Sequence, residues 1–217
     1  RYYQHINKFS AQFAFATDMA MLTLGGYLKQ KEHLSARLGD VLSALYLASM
    51  VLKHWENQGR RAEDLPLVEW SCRTLLYEAQ EQLNGFLRNF PNRGVAALMR
   101  LVIFPRGRTY FAPSDRLGRR IVEALMVPSE TRERLAHGIY KTVEPGNPVG
   151  LLQEALVLSV AAEPLEKKLR VEGVKTGRIT ALDLPGQIEQ GLAAGILTAT
   201  EAQLLRDYDR KVMDIVN

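Results

Sequence analysis

Apolar positions recur along this chain at three- and four-residue intervals, the period of helices packed on one face. Residues 3–28 carry Phe9, Phe13, Ala16 and Ala20 at that spacing, with Leu22 and Leu24 widening the apolar surface. Gly25-Gly26 loosens or ends the pattern. A second helix is predicted over about 34–58. Its centre, residues 41–52, holds no charge, and large apolar side chains stand on every side among Ser43, Ala44, Ala48 and Ser49. A helix apolar all round belongs in the middle of a bundle or in a membrane. About a dozen uncharged residues fall short of the roughly 20 that a bilayer requires, so the expectation is a central buried rod. On it, Arg37 and Asp40 stand three apart and are placed to pair.

Asp64 is the expected N-cap of a third helix, with Pro66 in its first turn, where the missing N–H costs nothing. The helix runs to about Phe90 and is broken by Pro91-Asn92. A short apolar helix follows over 94–104, ended by Pro105-Arg106-Gly107-Arg108. Ser114 caps a helix reaching Leu125, and Pro128-Ser129 restarts a short one to about Gly138. Glu144-Pro145-Gly146-Asn147-Pro148 reads as an exposed connection. Beyond it, residues 149–169 form an amphipathic helix on Leu152, Leu156, Val160 and Leu165, which Pro164 should kink or divide. The tail ends in a helical hairpin. Asp183 caps its first helix, Gly195 stops it, and Thr198 with Glu201 forms a capping box for the last. No alternating run argues for a strand. The fold class expected is all-α, a helical bundle with a central buried helix and a C-terminal helical hairpin. The domains expected are a bundle over 1–143 and a helical extension over 149–217 packing on it, with one single domain as the alternative.

Composition changes little in that picture. A chain of 217 residues, 47% hydrophobic and 24% charged, is an ordinary globular protein, long enough to bury about 70% of its unfolded surface. Cys72 is the only cysteine, so no internal disulfide forms. The helical pattern is already running at Arg1, as expected of a segment of something longer.

Candidate chemistry is sparse. His5, His33, His54 and His137 form no HisxxxHis or HisGluxxHis pair, and no zinc spacing involves Cys72. Cys72 shares a helix with Trp70, Leu75 and Leu76 and reads as a small buried hydrophobe. Glu78 with Glu81, and Asp207 with Asp209, read as solvated faces. One charge feature stands out. Between Phe86 and Arg120 lie eight arginines, Arg88, Arg93, Arg100, Arg106, Arg108, Arg116, Arg119 and Arg120, against a single acid, Asp115. The whole chain is only +4. Guanidinium forks suit carboxylate and phosphate, so this is a candidate patch for an anionic partner: an acidic helix, anionic phospholipid, a nucleotide phosphate or nucleic acid. Internal pairing with glutamates of neighbouring helices is the plain alternative. Tyr110 and Phe111 interleave with the arginines, but no nucleic-acid module frames them, and a protein or membrane surface is preferred.

Several strings carry a resemblance: Leu24-Gly25-Gly26-Tyr27-Leu28-Lys29, Ser35-Ala36-Arg37-Leu38-Gly39-Asp40-Val41-Leu42-Ser43, Leu45-Tyr46-Leu47-Ala48-Ser49, Asp64-Leu65-Pro66-Leu67-Val68, Asn89-Phe90-Pro91-Asn92-Arg93, Ile103-Phe104-Pro105, Ala112-Pro113-Ser114-Asp115 and Asn147-Pro148-Val149-Gly150-Leu151-Leu152-Gln153-Glu154-Ala155. In this order they resemble the C-terminal domain of bacterial long-chain acyl-CoA dehydrogenases, the large proteobacterial enzymes of fatty-acid β-oxidation. The match runs from Arg1 to about Pro164 and is looser in the tail.

The resemblance implies a parent flavoprotein that uses FAD to oxidise the Cα–Cβ bond of a fatty acyl-CoA to a trans-2-enoyl-CoA. A glutamate takes the α-proton, the flavin takes the β-hydride, and electrons pass to an electron-transfer flavoprotein. In that family the glutamate and most flavin contacts precede the segment represented here, and no residue of this chain matches the base. No catalytic, cofactor-binding or metal residue is therefore assigned, no FAD is expected in this segment, and the isolated chain is expected to be inactive. What remains is an architectural role against the dehydrogenase core of the same chain, with a homodimer expected. In related eukaryotic very-long-chain enzymes a helical extension is associated with dimer contacts and the inner membrane. The localisation implied is cytoplasmic, peripheral to the inner membrane where the basic region docks.

Overall fold

The computed structural model describes residues 1–144 and 146–216, and these are all-α. In chain order the helices are α1 (Tyr2–Leu24), α2 (Glu32–Asn57), α3 (Leu65–Arg88), α4 (Arg93–Ile103), α5 (Asp115–Leu125), α6 (Glu130–Leu135), α7 (Pro148–Lys168), α8 (Leu184–Ala193) and α9 (Ala199–Val216). A 3-10 turn, Gly25–Gln30, follows α1, and a π turn, Leu169–Val174, extends α7. Contacts divide the chain into Arg1–Ile121 and Val122–Asn217. That division falls inside α5, upstream of the 144–148 connection, of which Pro145 lies outside the described residues.

In the first unit, α2 and α3 make the most extensive helix pair, and α1 packs on both. Ala44, Ala48 and Ala79 are fully or nearly fully buried, side chains small enough for backbones to approach closely. Phe9, Phe86, Phe90, Leu76, Leu83, Leu87, Met99 and Ile103 fill the core. Each such side chain contributes about 1.5–3 kcal/mol relative to exposure. The turn between α2 and α3 closes where Trp55 Nε1 donates to the Arg61 carbonyl at 2.8 Å. Gly59 and Arg60 there adopt positive φ (83° and 54°), natural for the glycine and unusual for the arginine.

The rod expected at 34–58 forms as α2, but it is buried along one face. Leu34, Leu38, Val41, Ala44, Leu45, Ala48 and Leu52 point inward, whereas Leu42, Tyr46, Leu47 and Met50 are exposed, Tyr46 by 62%. By length and composition alone, α2 and the span formed by α7 with its π turn would suffice to cross a membrane, a test that core helices of soluble proteins also pass. The Arg37–Asp40 pair does not form. Arg37 Nη1 donates to the His33 carbonyl at 3.2 Å, and its side chain crosses to α3 over Gly85, where an added Cβ would meet Nε at 3.1 Å. Asp64 stands at the N-cap of α3 in αR conformation, and its side chain makes no cap bond.

The second unit has its own core of Ala162, Leu169, Ile179, Ile188, Ile196, Leu197, Ala202 and Leu205. Its hairpin is capped as the sequence predicts. Asp183 accepts from the Gly186 N–H at 3.1 Å. Thr198 and Glu201 close a reciprocal box, the Thr198 N–H donating to Glu201 Oε2 at 2.7 Å and the Glu201 N–H to Thr198 Oγ1 at 3.3 Å. Lys168 Nζ also donates to Glu201 at 3.1 Å, tying α7 to α9. Pro164 leaves α7 undivided, and the helix continues to Lys168.

Candidate functional site: a basic surface and an aromatic cleft

All eight arginines of the basic stretch are exposed. Arg88 ends α3, Arg93 and Arg100 lie on α4, Arg106 and Arg108 on the following loop, and Arg116, Arg119 and Arg120 on α5. Internal pairing with glutamates accounts for one of them among the described residues: Arg108 Nη1 meets Glu81 at 3.0 Å. Arg93 instead donates to the Arg88 carbonyl at 2.8 Å and Arg100 to Asn84 Oδ1 at 3.2 Å. Apolar side chains surface among them. The inner face of α4 buries Ala96, Met99 and Ile103, while Leu98, Leu101 and Val102 are exposed, Leu101 by 70%.

A second feature comes from three separate parts of the first unit. Arg1 at the N-cap of α1, Tyr2, His5 and Lys8 on that helix, Glu69, Arg73 and Leu76 of α3, and residues 109–112 of the loop after α4 line a cleft of about 480 Å³. Spacings of four and three bring Arg1, His5 and Lys8 to one side of α1, as they bring Glu69, Arg73 and Leu76 to one side of α3. The loop is fixed from beneath by Gln80, itself 1% exposed. Gln80 Oε1 accepts the Tyr110 N–H at 3.0 Å, and its Nε2 donates to the Tyr110 carbonyl at 2.9 Å. The Arg108–Glu81 pair holds the same loop from its surface. Tyr110 then turns its ring onto Phe9, with centroids 4.8 Å apart, and its hydroxyl is hydrogen-bonded to His5 Nδ1 at 2.8 Å.

The cleft is electropositive. Burial lowers the His5 pKa, and the Arg1 and Lys8 charges lower it further, so the ring is neutral at pH 7. Burial raises Tyr110 and also Tyr2, where a hydrogen bond from Arg73 partly opposes it; both stay protonated. Glu69, the one carboxylate lining the cleft, is engaged by Arg73 Nη2 at 2.6 Å. Lys8 Nζ stands 5.5 Å from the Tyr110 ring centroid, a cation–π distance. None of the eight arginines lines this cleft. In the sequence, Tyr110 and Phe111 stood out only as aromatics among the arginines; the helical spacing of Arg1, His5 and Lys8 was a signal not read as a site, and Gln80 carried none.

The remaining candidates are structural. Cys72 is fully buried, and burial pushes its thiol up to about 11, the opposite of an activated nucleophile. Glu81 is taken by Arg108, and Asp207 by Arg210 and Gln203. Among the described residues no group of three or more His, Cys, Asp or Glu converges as metal ligands.

No solved structure matches this chain. The family model for the C-terminal region of bacterial-type acyl-CoA dehydrogenases matches residues 1–217, extending through the tail where the sequence strings were looser. This all-α chain therefore belongs to the bacterial-type acyl-CoA dehydrogenase C-terminal family.

Proposed function

We propose that the chain is the non-catalytic packing domain of an FAD-dependent acyl-CoA dehydrogenase, its outward α2 face seated on the dehydrogenase core of the same parent chain. The observation that carries this is the exposed row Leu42, Tyr46, Leu47 and Met50 on a helix uncharged from 41 to 52. An uncharged apolar face left open on one domain of a longer enzyme is the usual mark of an interface. The C-terminal description of the family supports the dehydrogenase core as the occupant of this face. FAD, fatty acyl-CoA and electron-transfer flavoprotein are then partners of the parent. Homodimerisation enters where the same face meets a second subunit.

The test is co-purification of the separately tagged core with the 217-residue chain. Tyr46→Glu combined with Met50→Glu, both at exposed positions, is expected to abolish association while leaving the far-ultraviolet circular dichroism unchanged. Undiminished association of the double variant refutes the assignment of the face. A purified chain carrying stoichiometric flavin refutes the non-catalytic reading.

A second surface supports peripheral membrane contact. Leu98, Leu101 and Val102 emerge from α4 beside Arg93, Arg100 and Arg106, an arrangement suited to an anionic bilayer surface facing the cytoplasm. Co-sedimentation with phosphatidylserine-containing vesicles is expected at low salt, with loss at about 0.5 M salt as screening tightens. Equal binding to neutral vesicles refutes the electrostatic reading.

A further inference from the structure

The cleft of α1, α3 and loop 109–112 has no part in the packing or membrane readings, and its chemistry points elsewhere. Its volume of about 480 Å³ falls within the range of roughly 300–1,000 Å³ occupied by small-molecule sites. It is an open concavity with a firm floor, since Gln80 grips both backbone groups of Tyr110 and Phe9 supports the Tyr110 ring.

Charge selects the sign of the ligand. Arg1, Lys8 and Arg73 line the cleft against Glu69, which Arg73 already engages. Arg1 and Lys8 have no carboxylate partner among the described residues. Two uncompensated cations beside an ion pair favour a dianion over a single carboxylate. Neutral hydroxyls of Tyr2 and Thr109 border the same space and add donors.

Shape and apolar lining select the rest of the ligand. A phosphate group alone would leave most of this volume empty. Leu76, Tyr110, Phe111 and Ala112 form the remaining wall, and Phe111 is 77% exposed at the rim. An exposed aromatic ring in that position offers a face on which a flat group can stack. We propose that the cleft binds an organic phosphate, its phosphoryl group held by Lys8, Arg1 and Arg73 and its planar portion stacked on Phe111.

The experiment titrates adenosine monophosphate into the chain at fixed ionic strength, with inorganic phosphate and unphosphorylated adenosine as separate arms, read by calorimetry and by amide shifts. The mononucleotide is expected to bind once and about ten-fold or more tighter than phosphate, the equivalent of one base–aromatic stack. Phe111→Ala should remove that advantage and leave phosphate binding unchanged. Lys8→Gln should weaken both anions about ten-fold, as loss of one charge-assisted contact does. Lys53→Gln, an exposed cation on α2, should change nothing. Phe111 and Lys8 are both exposed, so these variants keep the core. The proposal fails if the mononucleotide binds no tighter than phosphate, if adenosine binds equally well, or if Lys53→Gln weakens binding as much as Lys8→Gln.

Discussion

Replacing Gln80 by methionine tests whether one buried amide holds the loop that forms the cleft. The side chain is 1% exposed and joins both the N–H and the C=O of Tyr110, at 3.0 and 2.9 Å. Methionine has nearly the same length and volume, so no cavity opens, but it can neither accept from the N–H nor donate to the C=O. A buried backbone group left without a partner costs about 1–3 kcal/mol. Two such groups, with partial recovery by water because Tyr110 is only half-buried, give an expected loss of about 2–4 kcal/mol. Trp55 and Trp70 both belong to Arg1–Ile121, so tryptophan fluorescence during urea unfolding follows that unit alone. The midpoint should fall with the slope unchanged, and the Tyr110 amide should lose its protection from hydrogen exchange. A loss below about 0.5 kcal/mol, the scatter of ordinary surface substitutions, with Tyr110 still protected, would mean that the loop is held by something else. The fixed floor of the cleft would then be wrong.

Other consequences follow from single contacts. Cys72, buried and with its thiol pushed up to about 11, should resist disulfide-exchange reagents at about pH 8 in the folded chain and react at once in denaturant; fast reaction of the folded protein refutes its burial. Gly173→Ala drives a Cβ into Cδ1 of Ile179 in the second core, and overpacking of this kind is expected to cost about 1–3 kcal/mol in thermal or urea unfolding of that unit. Asp183→Ala removes the cap bond to the Gly186 N–H and should cost about 1 kcal/mol, recovered in large part by Asp183→Ser. Glu201 has its carboxyl lowered first by the Thr198 N–H and next by Lys168. Its folded pKa lies below the unfolded one, so its contribution is complete above the unfolded value and is lost as pH falls through the folded value. Glu201→Gln should flatten that part of the acid-unfolding curve, and an unchanged curve argues against the linkage.

Helix existence, and most helix ends, were legible because their causes are local. The Asp183 cap, the Thr198–Glu201 box, the break at Pro91 and the stop at Gly195 each act within about a turn of chain, so the residues responsible stand beside the effect. Asp64 shows the limit: its identity suits a cap, but the αR backbone there keeps its side chain from the N–H groups it would accept from. Pro164 shows another: of the kink or division expected there, the division does not occur, and the helix runs on to Lys168. The basic stretch was visible as a count of charges, yet its exposure, with Arg108 alone of the eight ion-paired among the described residues, depended on where the glutamates came to lie.

The sequence by itself determined an all-α chain, its helix order, its capped hairpin and its family strings, all properties of neighbours in the chain or of their linear order. Tertiary structure alone decided which side of α2 is buried, because a helix apolar all round has no preferred face until α1 and α3 cover one. It also sent Arg37 across Gly85 instead of to Asp40, and it brought His5, Arg73 and Tyr110 to one cleft. Contacts between residues so far apart are set by packing of whole helices, a quantity that no local pattern contains.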